Sequence, residues 1–481
     1  MAVTLIVLGA GPGGYQAAIR AAQLGAAVTL VEPAGLGGAC LHRGCIPTKT
    51  LLASARALDL ARRGAEFGFA AAAPAPDWPA MQARKTGVVD LQAQGIARLM
   101  QAHGVNVIAG RGRLIAPSRV AVELNDGTAT ELTAERVILA TGGRPSGLAG
   151  LARDGRLILD SDDALTLTEL PESICIVGGG VIGCEFATLF AALGCRVSLV
   201  EALDRLLPLP SLDPEISKLL LRECKKRKIS VHLGNVVEAV GAAETGLELR
   251  LGPSPLVEAR AAGRPAVISA AKVLVAAGRA PNSAGLSLEA AGVALDPRGA
   301  VRVDEFLATS APGVYAIGDL LGPARPMLAH VASAEALAAA ANALGKAERV
   351  DYALAPSVAY SWPEAAWVGL CLDQARQQGL DAALAGFSLR QLGKAQAEGE
   401  LAGQYGLVYE QGSRRLLGAQ LLGPHAGEII HECALALRFG ARLDDLAHLI
   451  HAHPSLSEGL REAAEAGLGR SLHLPPAPAR G

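Results

Sequence analysis

"TLIVLGAGPGGYQAAIRAAQLGAAVTLVE", residues 4–32, decides how this chain folds. An apolar run leads into GxGxxG at Gly9, Gly11 and Gly14. An alanine-rich stretch of helical period follows, then a second apolar run ending in Glu32. That order predicts strand, tight turn, helix and parallel strand. The pattern returns without a gap at 173–201, "SICIVGGGVIGCEFATLFAALGCRVSLVE", as Gly178, Gly180, Gly183 and Glu201. A lone GxGxxG says little. Here each copy follows an apolar strand, opens an amphipathic helix and precedes a strand-ending glutamate, the context in which the motif carries meaning.

The glycines allow a close backbone approach to a pyrophosphate, and the helix N-terminus offers it free amides and a positive dipole. Glu32 and Glu201 can each accept hydrogen bonds from a ribose. Two such units imply transfer of electrons between two dinucleotides. A carboxylate at Glu201 favours the free 2′-hydroxyl of NAD and repels the 2′-phosphate of NADP, although Arg205 stands nearby in sequence.

Outward from the repeat, the 481-residue chain is long enough for roughly three or four domains. It is 51% hydrophobic with 3% aromatics and 56 glycines, which suits a helix-rich α/β architecture. A formal net charge of −2 supplies no basic field for nucleic acid or anionic membrane. The basic run Lys225–Lys228 fits a helix C-terminus. No apolar stretch has the length and flanks of a membrane span, and the N-terminus reads as a strand, so a soluble protein of a reducing, cytoplasmic compartment is expected.

The symmetry extends beyond the fingerprints. After a helical stretch to about Met100, strand-like "VNVIAG" and "RVAVEL" lie around the turn "NDG", and "RVILATGGRP" has its counterpart in "KVLVAAGRAPN". "GVYAIGD" brings Asp319 to the end of a buried-type strand, where open α/β sheets bind ligands; a turn cap is the plainer role for that aspartate. From about 350 the texture changes to strands such as "VAYSWPEAAWVGL", "YGLVYEQ" and "RLLGAQLLG", a separate domain without a glycine fingerprint.

Cys40 and Cys45 stand apart from the other six cysteines, which are scattered in apolar surroundings as buried thiols usually are. Zinc would want four ligands, and one short loop with His42 lacks them. A static disulfide is unusual in a reducing compartment. A redox pair fits, because Cys45 precedes the helical run "TKTLLASARALDLARR" and a helix N-terminus stabilises a thiolate. Exchange needs a base near neutral pH, a role open to His453 of "HAHPSLSE". There Ser455 and Glu458 also spell a capping box.

Taken in order, GAGPGGY, GGACLHRGCIPTK, ATGGRP, GGGVIGCE, AAGRAPN, VYAIGD, MLAH, WVGL, LLGPHAGEII and HAHPSLSE resemble the pyridine nucleotide-disulfide oxidoreductases over almost the whole chain, most closely their dihydrolipoyl dehydrogenase branch. The resemblance implies an α/β fold: two Rossmann-like dinucleotide-binding domains plus an α+β C-terminal dimerisation domain. Its boundaries would be an FAD-binding part at 1–148, an NAD-binding domain at 149–275, a second FAD-binding part at 276–346, an interface domain at 347–472 and a tail at 473–481. FAD would meet Gly9, Gly11, Gly14, Glu32, Gly38 and Lys49, with Gly112, Thr141, Gly142, Asp319, Met327 and Leu328 lining the same cofactor. NAD would meet Gly178, Gly180, Gly183, Glu201, Val237 and Gly278. No metal is implied.

By the same resemblance Cys45 faces the flavin, Cys40 exchanges disulfides with substrate, Lys49 pairs with Glu185, and Glu458 orients His453, which reaches the neighbouring subunit's cysteines in a homodimer. The implied reaction oxidises the dihydrolipoyl group of a lipoyl-bearing protein, of a 2-oxo acid dehydrogenase or glycine-cleavage type complex, with NAD+ as acceptor. The rivals are an NADPH-dependent disulfide reductase and a non-catalytic FAD-binding paralogue. Ala39, Tyr409 and "QLGKAQA" (391–397) depart from the branch's usual pattern.

Overall fold

The computed structural model describes residues 2–70 and 74–475. The chain begins with β1 (Thr4–Leu8), α1 (Pro12–Gln23), β2 (Ala27–Glu32), α2 (Gly38–Arg43), α3 (Cys45–Arg62) and α4 (Trp78–Ala102). β3 (Asn106–Ala116), β4 (Arg119–Leu124) and β5 (Ala129–Thr133) form an antiparallel meander, followed by β6 (Arg136–Leu139) and β7 (Gly143–Pro145). The turn Asn125–Gly127 joins β4 to β5 rather than lying between the two strands read from sequence. β3 runs on through Ala116, and Asp126 fixes the later turn by accepting the Thr128 amide and hydroxyl.

The second copy of the repeat continues with β8 (Ile158–Leu159), α5 (Ser161–Ala164), β9 (Ser173–Val177), α6 (Val181–Ala192), β10 (Arg196–Glu201), α7 (Pro214–Lys226) and β11 (Ser230–Leu233). β12 (Asn235–Ala242), β13 (Leu247–Pro253), β14 (Ala266–Ala270) and β15 (Lys272–Val275) complete it. One sheet is parallel, in the order β11-β10-β9-β15-β8, and β12-β13-β14 form an antiparallel companion. β9 is buried along its whole length, which is why "SICIV" is apolar without alternation.

β16 (Arg279–Pro281) then pairs antiparallel with β7, and β17 (Val314–Ala316) pairs parallel with β6. The first sheet thereby becomes seven-stranded, β17-β6-β1-β2-β3-β4-β5. α8 (Ala329–Ala343) packs on α1 through small side chains, with Ala17, Ala18 and Ala21 facing a helix that buries Ala336, Ala339 and Ala340. Much of the alanine excess is spacing for such close helix contacts.

The last part holds β18 (Ser357–Ala359), β19 (Glu364–Gly369), α9 (Leu372–Gln377), β20 (Ala382–Ser388), α10 (Gly393–Ala397), β21 (Gln404–Glu410) and β22 (Leu416–Gly423), then α11 (Ala426–Arg438), α12 (Leu443–His448) and α13 (Glu458–Gly467). Its sheet is antiparallel, β18-β19-β22-β21-β20. The sequence reading missed β20, whose "AALAGFS" is poor in strand-forming residues. The Trp362 indole lies between Arg227 of the α7 C-terminus, 3.8 Å from its centroid, and Arg56 of α3 at 5.3 Å, so one ring ties three parts of the chain together. Of the expected tail, 476–481 lies outside the described residues.

Candidate active site

Both fingerprints turn at the carboxyl end of the first strand of their unit, and the two turns are built alike. A Cβ on Gly14 or Gly183 would lie 1.8 Å from the carbonyl oxygen of Gly9 or Gly178, so helix and strand approach closely only because no side chain intervenes. Glu32 accepts the amides of Ala10 (2.7 Å) and Ala34 (2.8 Å); Glu201 accepts those of Gly179 (2.6 Å) and Leu203 (2.8 Å). A carboxylate offers about four lone-pair directions, so each glutamate keeps acceptors for ribose hydroxyls.

The turns open on one cavity of about 2080 Å³. Gly9, Gly11, Glu32, Gly38 and Gly112 line one region of it, and Gly178, Gly180, Glu201, Val237 and Gly278 another. Thr141, Gly142, Asp319, Met327 and Leu328 line it as well, whereas Gly14 and Gly183 lie behind the turns they allow. A Cβ on Gly38 would sit 2.5 Å from Gly11 Cα, so the first turn is a bare-backbone cradle of the kind a pyrophosphate needs. Asp319 accepts Arg279 Nε at 3.1 Å on one oxygen, and Arg279 also donates to Gly143 O. These residues fit FAD in the first region and NAD in the second. Arg205 donates to the carbonyls of Leu209 (2.9 Å) and Leu212 (3.2 Å), which occupies its guanidinium within its own loop.

Cys40 on α2 and Cys45 at the first position of α3 share this cavity, both half-buried thiols. Their proximity splits them. The neighbouring Cys40 thiol lowers the Cys45 pKa to about 7 against the effect of burial, with the Lys49 charge helping. The neighbouring Cys45, with burial, pushes Cys40 far up. Burial raises Cys175, Cys184, Cys195, Cys224 and Cys433. Lys49, one turn into α3, donates to Glu185 Oε1 (2.9 Å) and Oε2 (2.8 Å) of α6. Burial opposes the ammonium, but the Glu185 carboxylate outweighs it and raises the lysine's pKa.

His453 and Glu458 stand together, Nδ1 to Oε1 at 3.0 Å, but do not line the cavity of their own chain, and the His453 side chain is 77% exposed. Glu458 Oε2 accepts the Ser455 amide at 2.8 Å, so this carboxylate both closes a turn and orients the imidazole. Partial burial opposes its charge, yet the Ser455 amide and His453 hold it below the usual carboxylate range. His451 bonds Glu432 instead, at 3.0 Å. Among the described residues no group of three or more His, Cys, Asp or Glu side chains has the arrangement of a metal site.

Three further side chains reach the site without a signal in the sequence. Tyr360 stacks on the Lys49 ammonium, Arg43 lies 3.7 Å from Asp162 at the cavity wall, and the buried Glu335 accepts the Gly318 amide beside Asp319. Tyr360 and Arg43 meet partners more than a hundred positions away, and Glu335 of α8 meets Gly318, 17 positions earlier in the turn that follows β17. Of the departures, Ala39 lines the cavity, Tyr409 donates to Gly467 O at 3.3 Å, and residues 393–397 form α10.

Residues 3–336 match the family described as Pyridine nucleotide-disulphide oxidoreductase, and residues 355–464 match its dimerisation domain. Proteins named dihydrolipoyl dehydrogenase from Chlamydia muridarum and Bacillus subtilis are each 39% identical to this chain, covering 98% of it and 98% and 99% of their own lengths. The crystal structure of LpdA from Mycobacterium tuberculosis superposes with a TM-score of 0.86 at 28% identity, covering 96% of this chain and 99% of that one. The HOCl-induced flavoprotein disulfide reductase RclA from Escherichia coli superposes with 0.82 at 26% identity, over 96% of this chain and 99% of its own. With paired fingerprints, a cysteine pair between them and a dimerisation domain behind, the chain belongs to the pyridine nucleotide-disulphide oxidoreductases.

Proposed function

We propose that the chain oxidises the dihydrolipoyl group of a carrier protein to its disulfide and reduces NAD+, acting through Cys40, Cys45 and FAD. The observation that carries this reading is the grouping of Cys45, Lys49 and Glu185 in the cavity onto which both dinucleotide turns open. FAD, when bound, supplies the two-electron relay between thiol and nicotinamide. His453 of the second subunit takes the proton of one substrate thiol, and the resulting thiolate attacks Cys40 Sγ of the oxidised pair. A mixed disulfide forms as Cys45 leaves as a thiolate. The second substrate thiol then displaces Cys40, its proton passing to the departing Cys40 sulfur, so the substrate closes its disulfide and the cysteine pair holds the two electrons. Lys49 holds positive charge near Cys45, and Glu185 holds Lys49 in place.

The exposed imidazole and its absence from the lining of its own cavity support a site completed across a homodimer. So do apolar side chains left open on the same C-terminal domain: Phe439 at the end of α11 is 80% exposed and Ile450, three residues before the histidine, 93%. No described helix is long and apolar enough to cross a membrane, and we read the protein as cytoplasmic. We assign 1–148 and 276–346 to FAD, 149–275 to NAD and 347–472 to the interface, a division supported by the return of β17 to the first sheet. The partner is the lipoyl-bearing protein of a 2-oxo acid dehydrogenase or glycine-cleavage type complex.

Anaerobic mixing of the FAD-loaded protein with dihydrolipoamide tests the proposal. A long-wavelength thiolate-to-flavin band is expected, then NADH on addition of NAD+. Because the Cys45 pKa is lowered to about 7, the band is present above that pH and fades as protons return the thiolate to the thiol below it. Absence of the band at pH 8 overturns the role of Cys45; a band without NADH overturns the acceptor.

A further inference from the structure

We infer that Tyr360, from the far side of the chain, is a positioning residue for the redox centre: its ring face seats the Lys49 ammonium while its backbone amide holds the Glu185 carboxylate. Lys49 Nζ lies 4.6 Å from the ring centroid, within the range where a cation is drawn to an aromatic face. The Tyr360 amide donates to Glu185 Oε1 at 3.0 Å, the same oxygen that takes Lys49 at 2.9 Å. One residue therefore grips both members of the ion pair through two different chemistries.

Its own position is fixed from behind. Tyr360 follows directly on β18, whose last residue, Ala359, is registered opposite Ala365 of β19. Next to it the Ser361 hydroxyl donates to Pro363 O at 2.7 Å inside the protein. The ring is half-buried and lines the cavity, and its hydroxyl has no hydrogen-bond partner among the described residues. The groups that face the phenol are Lys49, Glu364, Glu428 and Glu185. Those that face Cys45 are Cys40, Lys49 and Glu185. Lys49 supplies the cation among these groups, so what seats its ammonium tunes the positive charge that the subunit itself offers the Cys45 thiolate, beside the imidazole of the second subunit. The ring, rather than the hydroxyl, does this.

The proposal rests on the reading of Cys45 and Lys49 given above, and its test separates the two. In the reduced, FAD-loaded protein the thiolate-to-flavin band is titrated against pH for wild type, Tyr360→Phe and Tyr360→Leu. Phenylalanine keeps the ring and the wild-type midpoint. Leucine keeps the backbone amide and the Glu185 contact but takes the ring face from the ammonium, so the midpoint rises by about 0.5–1 pH unit, a loss of about three- to tenfold in thiolate stabilisation. In a Lys49→Ala background the leucine change leaves the midpoint where it was. Should the leucine protein not take up FAD, Tyr360→Met serves in its place with the same expected rise. An unchanged midpoint in a ringless, FAD-replete variant overturns the inference, as does an equal rise with phenylalanine. Absence of any band in the wild type overturns the reading of Cys45 instead.

Discussion

Glu201 and Arg205 show how little of a residue's role its identity decides. Glu201 is buried and already accepts two amides, so its loss leaves Gly179 and Leu203 without their acceptor as well as removing a partner for the ribose. Glu201→Ala is expected to lower kcat/KM for NAD+ about 10- to 100-fold. Steady-state kinetics with both acceptors checks it: loss of the repelling carboxylate is not expected to make the 2′-phosphorylated nucleotide as good an acceptor as NAD+, because Arg205 is committed to the carbonyls of Leu209 and Leu212. Equal use of both nucleotides by the variant would show the arginine to be free. Sequence spacing found the glutamate, since its distance from the glycine turn is fixed by one helix. It left the arginine open, because its partners lie in an irregular loop with no periodic signature.

At the level of the element, the two strand–turn–helix units divide their glycines between architecture and ligand. A Cβ at Gly183 would strike the Gly178 carbonyl, whereas at Gly180 it meets nothing within 4 Å. Gly183→Ala is therefore expected to destabilise the protein by about 3 kcal/mol or more, seen as a lower thermal unfolding midpoint. Gly180→Ala should keep the wild-type midpoint and instead weaken NAD binding, since its methyl enters the cavity; calorimetric titration distinguishes them. These units were legible because period, turn and cap signals agree within about thirty residues. β20 was not, because an alanine-rich edge strand owes its existence to β21 beside it. Tyr360 was equally silent: nothing in "VAYSW" says that it meets a lysine of α3 and a glutamate of α6.

For the whole molecule, the decisive expectation concerns ownership of the site. Cys45→Ser and His453→Gln are each expected to abolish dithiol-dependent turnover as homodimers. Co-expressed and purified as the mixed dimer, they should recover about half of wild-type activity, since one of the two sites then contains an intact cysteine pair and an intact histidine. An inactive mixed dimer would place both groups in one subunit. The division into parts could be read from the repeat and the change of texture near residue 350, while the absence of His453 from the lining of its own chain's cavity could not, because it depends on how the last part packs. That packing has a consequence for assembly. Glu458 anchors one oxygen to the Ser455 amide and the other to the imidazole, so a largely solvent-facing ring already has its orientation set before any second subunit arrives. On the proposed reading, docking then has little rotational freedom left to quench, and the imidazole would meet the neighbour's cleft as a finished tool rather than one shaped on contact.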